Sequence, residues 1–111
     1  MTECIFCKMV EGKIPVEKIY ESDDVLVFPD IHPQAKVHLL VIPKKHLPNV
    51  LALDDQTSAA IMNAVKKAVE LKHLNEKGFR LVANTGEHGG QTVFHLHFHL
   101  LGGRHLGWPP G

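Results

Sequence analysis

Apolar residues recur along this chain with two periods, and the change of period divides it into elements. Ile61, Ala64, Val65, Ala68, Val69 and Leu71 are spaced mostly by three and four residues, which places them in one buried stripe of an amphipathic helix. Asp54 is a good N-cap for that helix. The pattern predicts that it runs to about Asn75, with Gly78 as its stop and Lys66, Lys67, Glu70 and Lys72 facing mostly outward. A short N-terminal helix is expected over 2–10, capped by Thr2 and closed by Gly12 in the left-handed conformation. Strands are predicted over 14–21, 25–28, 37–42, 79–84 and 92–101. The run 37–42 is apolar except for His38, as in a strand buried on both faces, and Pro43 ends it. Residues 22–24 read as a turn, and 29–34 and 85–91 as loops. Five strands and one long helix, without regular alternation, predict an α+β domain: a five-stranded antiparallel sheet with the long helix on one face.

The strand predicted over 92–101 carries the chemistry. Side chains alternate across a strand, so Phe94, Leu96, Phe98 and Leu100 fall on a core face. Val93, His95, His97, His99 and Leu101 fall on the other. Three imidazoles about 7 Å apart along one face need partners, because an unpaired buried ring is costly. Three accounts compete: hydrogen-bonded structural histidines, a metal site, and nucleophilic or acid–base chemistry on an anionic substrate. The loop ahead of the strand favours the third. Gly86, Gly89 and Gly90, followed by Gln91 and Thr92, let backbone N–H groups approach an anion and form a concave nest.

Composition narrows the class. The chain has 111 residues, 44% hydrophobic and 22% charged, which suits one globular domain and disfavours disorder and coiled coil. Twelve basic and twelve acidic side chains sum to zero, so the basic surplus of a dedicated nucleic-acid binder is missing. Nine histidines exceed the two or three that ordinary composition supplies, roughly a threefold excess. No signal peptide and no bilayer-length apolar run are visible, so a cytoplasmic protein without membrane contact is expected. Two cysteines, Cys4 and Cys7, are too few for a disulfide scaffold. Their C-x₂-C spacing is that of a zinc half-site. A redox pair is the other option, but the thioredoxin-like βαβ context is absent.

These residues resemble the histidine triad (HIT) family, and its nucleotide-binding branch in particular. The likeness spans nearly the whole chain. It rests on His95-Leu-His97-Phe-His99-Leu-Leu, on Asp30-Ile-His-Pro-Gln-Ala-Lys-Val-His38 with Leu-Leu-Val-Ile-Pro-Lys-Lys-His46, on Asn84-Thr-Gly-Glu-His-Gly-Gly-Gln-Thr92, and on Leu101-Gly-Gly-Arg and Trp108-Pro-Pro-Gly. The resemblance implies cleavage of purine nucleoside 5′-phosphoramidates at the P–N bond. On the residues themselves, His97 is the nucleophile, forming a nucleotidyl-histidine. His99 and His38 are side-chain donors, the N–H groups from Gln91 to Val93 (Gly90 adjoining them) are backbone donors, and the Thr92 hydroxyl relays a proton.

By position in the family, Ile5, Phe6, Met9, Phe28, Ile31 and Leu40 border the base. Asp30 takes the ribose, and Asn84 lies near the ribose or phosphate. Pro29 stands where this branch often has histidine or another polar residue, so any contact such a side chain makes is lost. The family also implies a structural zinc on Cys4, Cys7, His46 and His95, no organic cofactor, and a homodimer in which Trp108 reaches the partner's site. Two further readings of the same triad are a dinucleoside polyphosphate hydrolase and a non-catalytic nucleotide-binding or interaction module.

Overall fold

The computed structural model describes residues 3–111; the expected cap Thr2 lies outside them. The elements are α1 (Ile5–Val10), β1 (Tyr20–Glu21), β2 (Val25–Pro29), β3 (Val37–Pro43), a 3₁₀ turn (Val50–Ala52), α2 (Asp55–Leu71), β4 (Phe79–Val82) and β5 (Phe98–Gly102). The strands form one sheet in the order β1-β2-β3-β5-β4, every neighbouring pair antiparallel. The α+β architecture expected from the sequence is the one the chain adopts.

Two-residue alternation decides which side chains face α2. Val25 and Val27 of β2, Leu39 and Val41 of β3, and Phe98 and Leu100 of β5 pack on Ile61, Ala64, Val65, Ala68 and Val69 of the helix. The intervening residues Leu26, Phe28, Leu40 and Ile42 point the other way and pack on Phe6 of α1. This is why β2 is apolar throughout and β3 is apolar except for His38. His38 and His99 alternate with the helix-facing residues, so they lie on the α1 face of the sheet.

Helix α2 starts as predicted: the Asp54 carboxylate accepts the Thr57 N–H at 2.7 Å. It ends at Leu71, before the expected Asn75. His73 takes φ +57°, its N–H donates to the Glu70 carbonyl, and the Leu74 N–H donates to the Val69 carbonyl. These paired bonds close a helix with one left-handed residue. The closure turns Leu74 into the core, where it is 5% exposed. Gly78, at φ +98°, shapes the turn into β4 instead.

Three strand expectations need correction. In 14–21 only Tyr20–Glu21 pairs; Pro15 has no N–H for a ladder, and bonding to β2 begins with the Ile19 N–H on the Val27 carbonyl. β4 stops at Val82 rather than Asn84, whose side chain belongs to the loop that follows. In 92–101 only the end is strand. Residues 92–97 leave the ladder: the Leu96 N–H donates to the Leu47 carbonyl, and Phe94 is 58% exposed rather than on the core face. Among the described residues no helix is long and apolar enough to cross a membrane.

Candidate active site

On the α1 face, hydrogen bonds to backbone groups and to a neighbouring ring fix the tautomers of His97, His38 and His99. The His97 Nδ1 lies 2.8 Å from the His95 carbonyl oxygen. A carbonyl only accepts, so Nδ1 carries the proton and Nε2 keeps its lone pair. His38 is fixed in the opposite sense. The Gln34 N–H donates to its Nδ1 at 3.0 Å, so its proton sits on Nε2. That N–H donates to His99 Nδ1 at 2.9 Å, with Asp30 Oδ2 as a second acceptor at 3.4 Å. His99 must then carry its own proton on Nε2, at the far side of its ring. Burial pushes both His38 and His99 below the ordinary imidazole range. For His99 the neighbouring His97 and His38 add to this, and Asp30 opposes it for both. These bonds set an imidazole nitrogen with a free lone pair on His97 beside a neutral N–H donor on His99. The two rings stand edge to face, 5.2 Å apart.

His97 and His99 line a cavity of about 500 Å³; His38, expected as a donor to the substrate, lies behind His99 and is not part of the wall. Ile5, Phe6, Met9, Phe28, Ile31 and Leu40 supply apolar wall, Asp30 supplies a carboxylate, and Thr92, Val93, His97 and His99 supply polar and backbone groups. Phe6 stacks edge to face on Phe28 and on His97, fixing the wall against the triad. Asp30 has two tasks within the protein: Oδ1 accepts the His32 N–H at 2.7 Å, and Oδ2 faces His38. Pro15, Val16, Glu17 and His32 also line the cavity and were missed by sequence reasoning. The first three lie in the segment 14–21 that the sequence predicts as a strand and that is irregular before Tyr20.

Asn84, Gly90 and Gln91 build the glycine loop and do not line the cavity. The Asn84 amide donates to the Gly89 carbonyl at 2.7 Å. The Gly90 N–H donates to Glu87 and the Gln91 N–H to Gly86. The Gln91 side chain, 7% exposed, accepts the Gly86 N–H and donates to the Pro48 and Val93 carbonyls. A Cβ on Gly89 would strike the Thr85 carbonyl oxygen. These bonds present Thr92 and Val93 at the cavity edge.

A second cluster adjoins the first. Cys4 Sγ, Cys7 Sγ, His46 Nδ1 and His95 Nδ1 all lie within 4.8 Å of one another. Cys4 is also the N-cap of α1, its sulfur accepting the Cys7 N–H. The His95 ring donates from Nε2 to the Pro43 carbonyl at 2.8 Å, which leaves Nδ1 bare and aimed at the sulfurs. The recorded N···S separations are 3.3, 3.4 and 3.6 Å. Tetrahedral ligands at zinc–sulfur and zinc–nitrogen bond lengths lie roughly 3.6 Å apart. The donor set and its spacing therefore fit a four-coordinate metal. Without a cation, burial, reinforced by the Cys4 thiol, pushes the Cys7 thiol up to about 11; a bound dication reverses that balance.

Residues 11–106 match the model of the HIT domain. The chain belongs to the HIT family. It is 46% identical to an uncharacterized HIT-like protein of Synechococcus elongatus, across 98% of this chain and 97% of the relative. With a similar protein of Synechocystis the identity is 47% over the same shares. Among solved structures, a HIT family hydrolase from Legionella pneumophila superposes with a TM-score of 0.92 at 46% identity, covering 98% of this chain and all of that one (100%). A histidine triad nucleotide-binding protein from Candida albicans superposes with a TM-score of 0.86 at 35% identity, over 96% of this chain and 83% of that one. The HIT segment takes in His38, His46 and the whole triad, while Cys4 and Cys7 precede it.

Proposed function

We propose that this HIT protein is a nucleotide-binding hydrolase that cleaves the P–N bond of purine nucleoside 5′-phosphoramidates. The observation that carries the reading is the His97–His95 carbonyl bond, which leaves a nucleophilic lone pair on His97 Nε2 at the wall of a cavity sized for a nucleoside. The nucleoside lies against Phe6, Phe28 and Leu40, with its ribose toward Asp30. His97 Nε2 attacks the α-phosphorus and the P–N bond breaks. The departing amine takes a proton relayed by the Thr92 hydroxyl. The His95 carbonyl stabilises the charge that develops on the His97 ring, and the His99 Nε2–H donates to a non-bridging phosphoryl oxygen. Water then attacks the nucleotidyl-histidine, the phosphorus–Nε2 bond breaks, and a nucleoside monophosphate leaves. The sum is phosphoramidate plus water giving monophosphate plus amine.

Cys4, Cys7, His46 and His95 hold a structural zinc in this reading. It ties α1, and with it Phe6, to the end of β3 and to the segment before β5. The protein acts as a cytoplasmic homodimer with no organic cofactor. The test is hydrolysis of adenosine 5′-phosphoramidate by wild type and His97→Ala, with zinc measured in the same samples. Turnover in the first and none in the second is expected. Equal rates, or none in either folded protein, would overturn the assignment; turnover of a dinucleoside polyphosphate alone would favour the neighbouring hydrolase activity.

A further inference from the structure

Beyond the active site, the pairing of Val37 and Phe79 with Gly102 marks one end of the sheet. A groove of about 510 Å³ opens there, and five of its eight wall residues are Lys36, His73, Lys77, Arg104 and His105. None of the eight is acidic. An adjoining recess adds Arg80. This concentration is unexpected in a chain whose charges balance. The ion pairs of the described residues use Lys13, Lys18, Lys44, Lys45 and Lys67, and none involves Lys36, Lys77, Arg80 or Arg104.

The two guanidinium groups bind only neutral carbonyls. Arg104 donates from Nε and Nη2 to Gln34 and from Nη1 to His105, and Arg80 donates to Gly107. Their charge is thus oriented but not neutralised. A guanidinium has five N–H groups; Arg104 uses three of them on carbonyls and keeps two for another acceptor.

The backbone is shaped to bring the basic segments together. A Cβ at Gly102 would meet Leu74 at 2.6 Å, and one at Gly103, which has φ +90°, would meet the Lys36 Cβ at 2.7 Å. The left-handed His73 turns the 73–78 segment toward the same place. Glu76 of that segment does not line the groove, so the cations of its wall face one another without an acid among them, and the close glycine contacts hold together charges that repel. An ordinary solvated face intersperses the two signs instead.

We propose that this groove is a binding site for an oligophosphate chain. The fixed charges of Lys36, Lys77 and Arg104, with Arg80 alongside, match a ligand of about three to four negative charges better than a single phosphate. The site shares no wall residue with the nucleoside cavity.

The test is calorimetric titration with inorganic tripolyphosphate at pH 7.5 and constant ionic strength. Saturable binding with one site per chain is expected. It should weaken at least tenfold in Lys36→Ala/Lys77→Ala and again in Lys77→Glu, all of them exposed positions. It should stay within twofold of wild type in His97→Ala/His99→Ala, and orthophosphate should bind at least tenfold more weakly. Absence of saturable binding, insensitivity to the lysine changes, or loss of binding with the triad histidines would each overturn the proposal.

Discussion

Replacing His38 by Phe tests whether the histidine relay acts by positioning. The side chain is 6% exposed, and a phenyl ring fills nearly the same volume, so packing is largely kept. Three contacts are lost: the acceptor for the Gln34 N–H, the donor to His99 Nδ1 and the longer contact to Asp30 Oδ2. Gln34 is exposed, so its N–H turns to water at little cost. The bond to His99 is what selects the tautomer with a proton on Nε2. A neutral hydrogen bond contributes about 0.5–1.5 kcal/mol; with RT of about 0.59 kcal/mol, losing it shifts the tautomer ratio roughly 2- to 13-fold.

Removing the His99 donor altogether should cost more, on the order of 10²–10³ in kcat. The predicted order is therefore a modest fall for His38→Phe, a large one for His99→Ala, and no turnover for His97→Ala. His38→Gln restores an amide donor near the lost Nε2 and should recover part of the rate. The assay is steady-state and single-turnover hydrolysis of adenosine 5′-phosphoramidate. Nitrogen chemical shifts of the His99 ring provide a readout independent of turnover, since Nδ1 should be bare in wild type and partly protonated in His38→Phe. A fall as deep as that of His97→Ala would make His38 a direct participant. An unchanged tautomer would refute the relay.

Three other outcomes are expected. Cys4→Ser, or chelation of the wild type, should lower the melting temperature and abolish bound zinc stoichiometry; a protein purified without zinc and indifferent to chelator would refute the metal cluster. Gly89→Ala should destabilise by about 1–3 kcal/mol and lower kcat, because the added Cβ meets Thr85 backbone; Gly107→Ala, with nothing within 4 Å, should do neither. Stability should fall on acidification: His38 and His99 lie below their ordinary value of 6.5, mainly through burial. The unfolded chain then binds protons more readily, so stability present above about pH 6.5 is lost below it, by up to about 1.4 kcal/mol per pH unit for each histidine. A melting temperature level from pH 8 to pH 5 would contradict this.

What the sequence discloses about this protein follows from which interactions leave a periodic trace. The apolar stripe on α2 from Ile61 to Val69 and the apolar runs of β2 and β3 repeat with the geometry of their elements, and both were legible; Leu71, expected in the stripe, is 45% exposed at the helix end. Residues 92–97 misled because apolar–polar alternation is shared by a strand and by a segment whose histidines serve separate sites. His95 turns to the two sulfurs, Leu96 to the core and His97 to the cavity. The same six residues thus satisfy the alternation without a ladder partner. The helix end was misplaced for a related reason: His73, a residue seldom left-handed, does what Gly78 was expected to do.

The protonation states were not legible at all. Each depends on a backbone group without a side-chain signature: the His95 carbonyl for His97, the Gln34 N–H for His38, and the Pro43 carbonyl for His95. Those groups come from the segment before β5, the loop before β3 and the end of β3. The fold therefore contributes to the chemistry beyond gathering imidazoles. Three rings of the same residue type differ in which nitrogen carries the proton according to what each one meets: a backbone carbonyl for His95 and His97, and the His38 ring for His99. His99 is bound at Nδ1 by His38 and His97 at Nδ1 by a carbonyl. Neighbours two residues apart thus present a proton and a lone pair, respectively, from their Nε2 atoms.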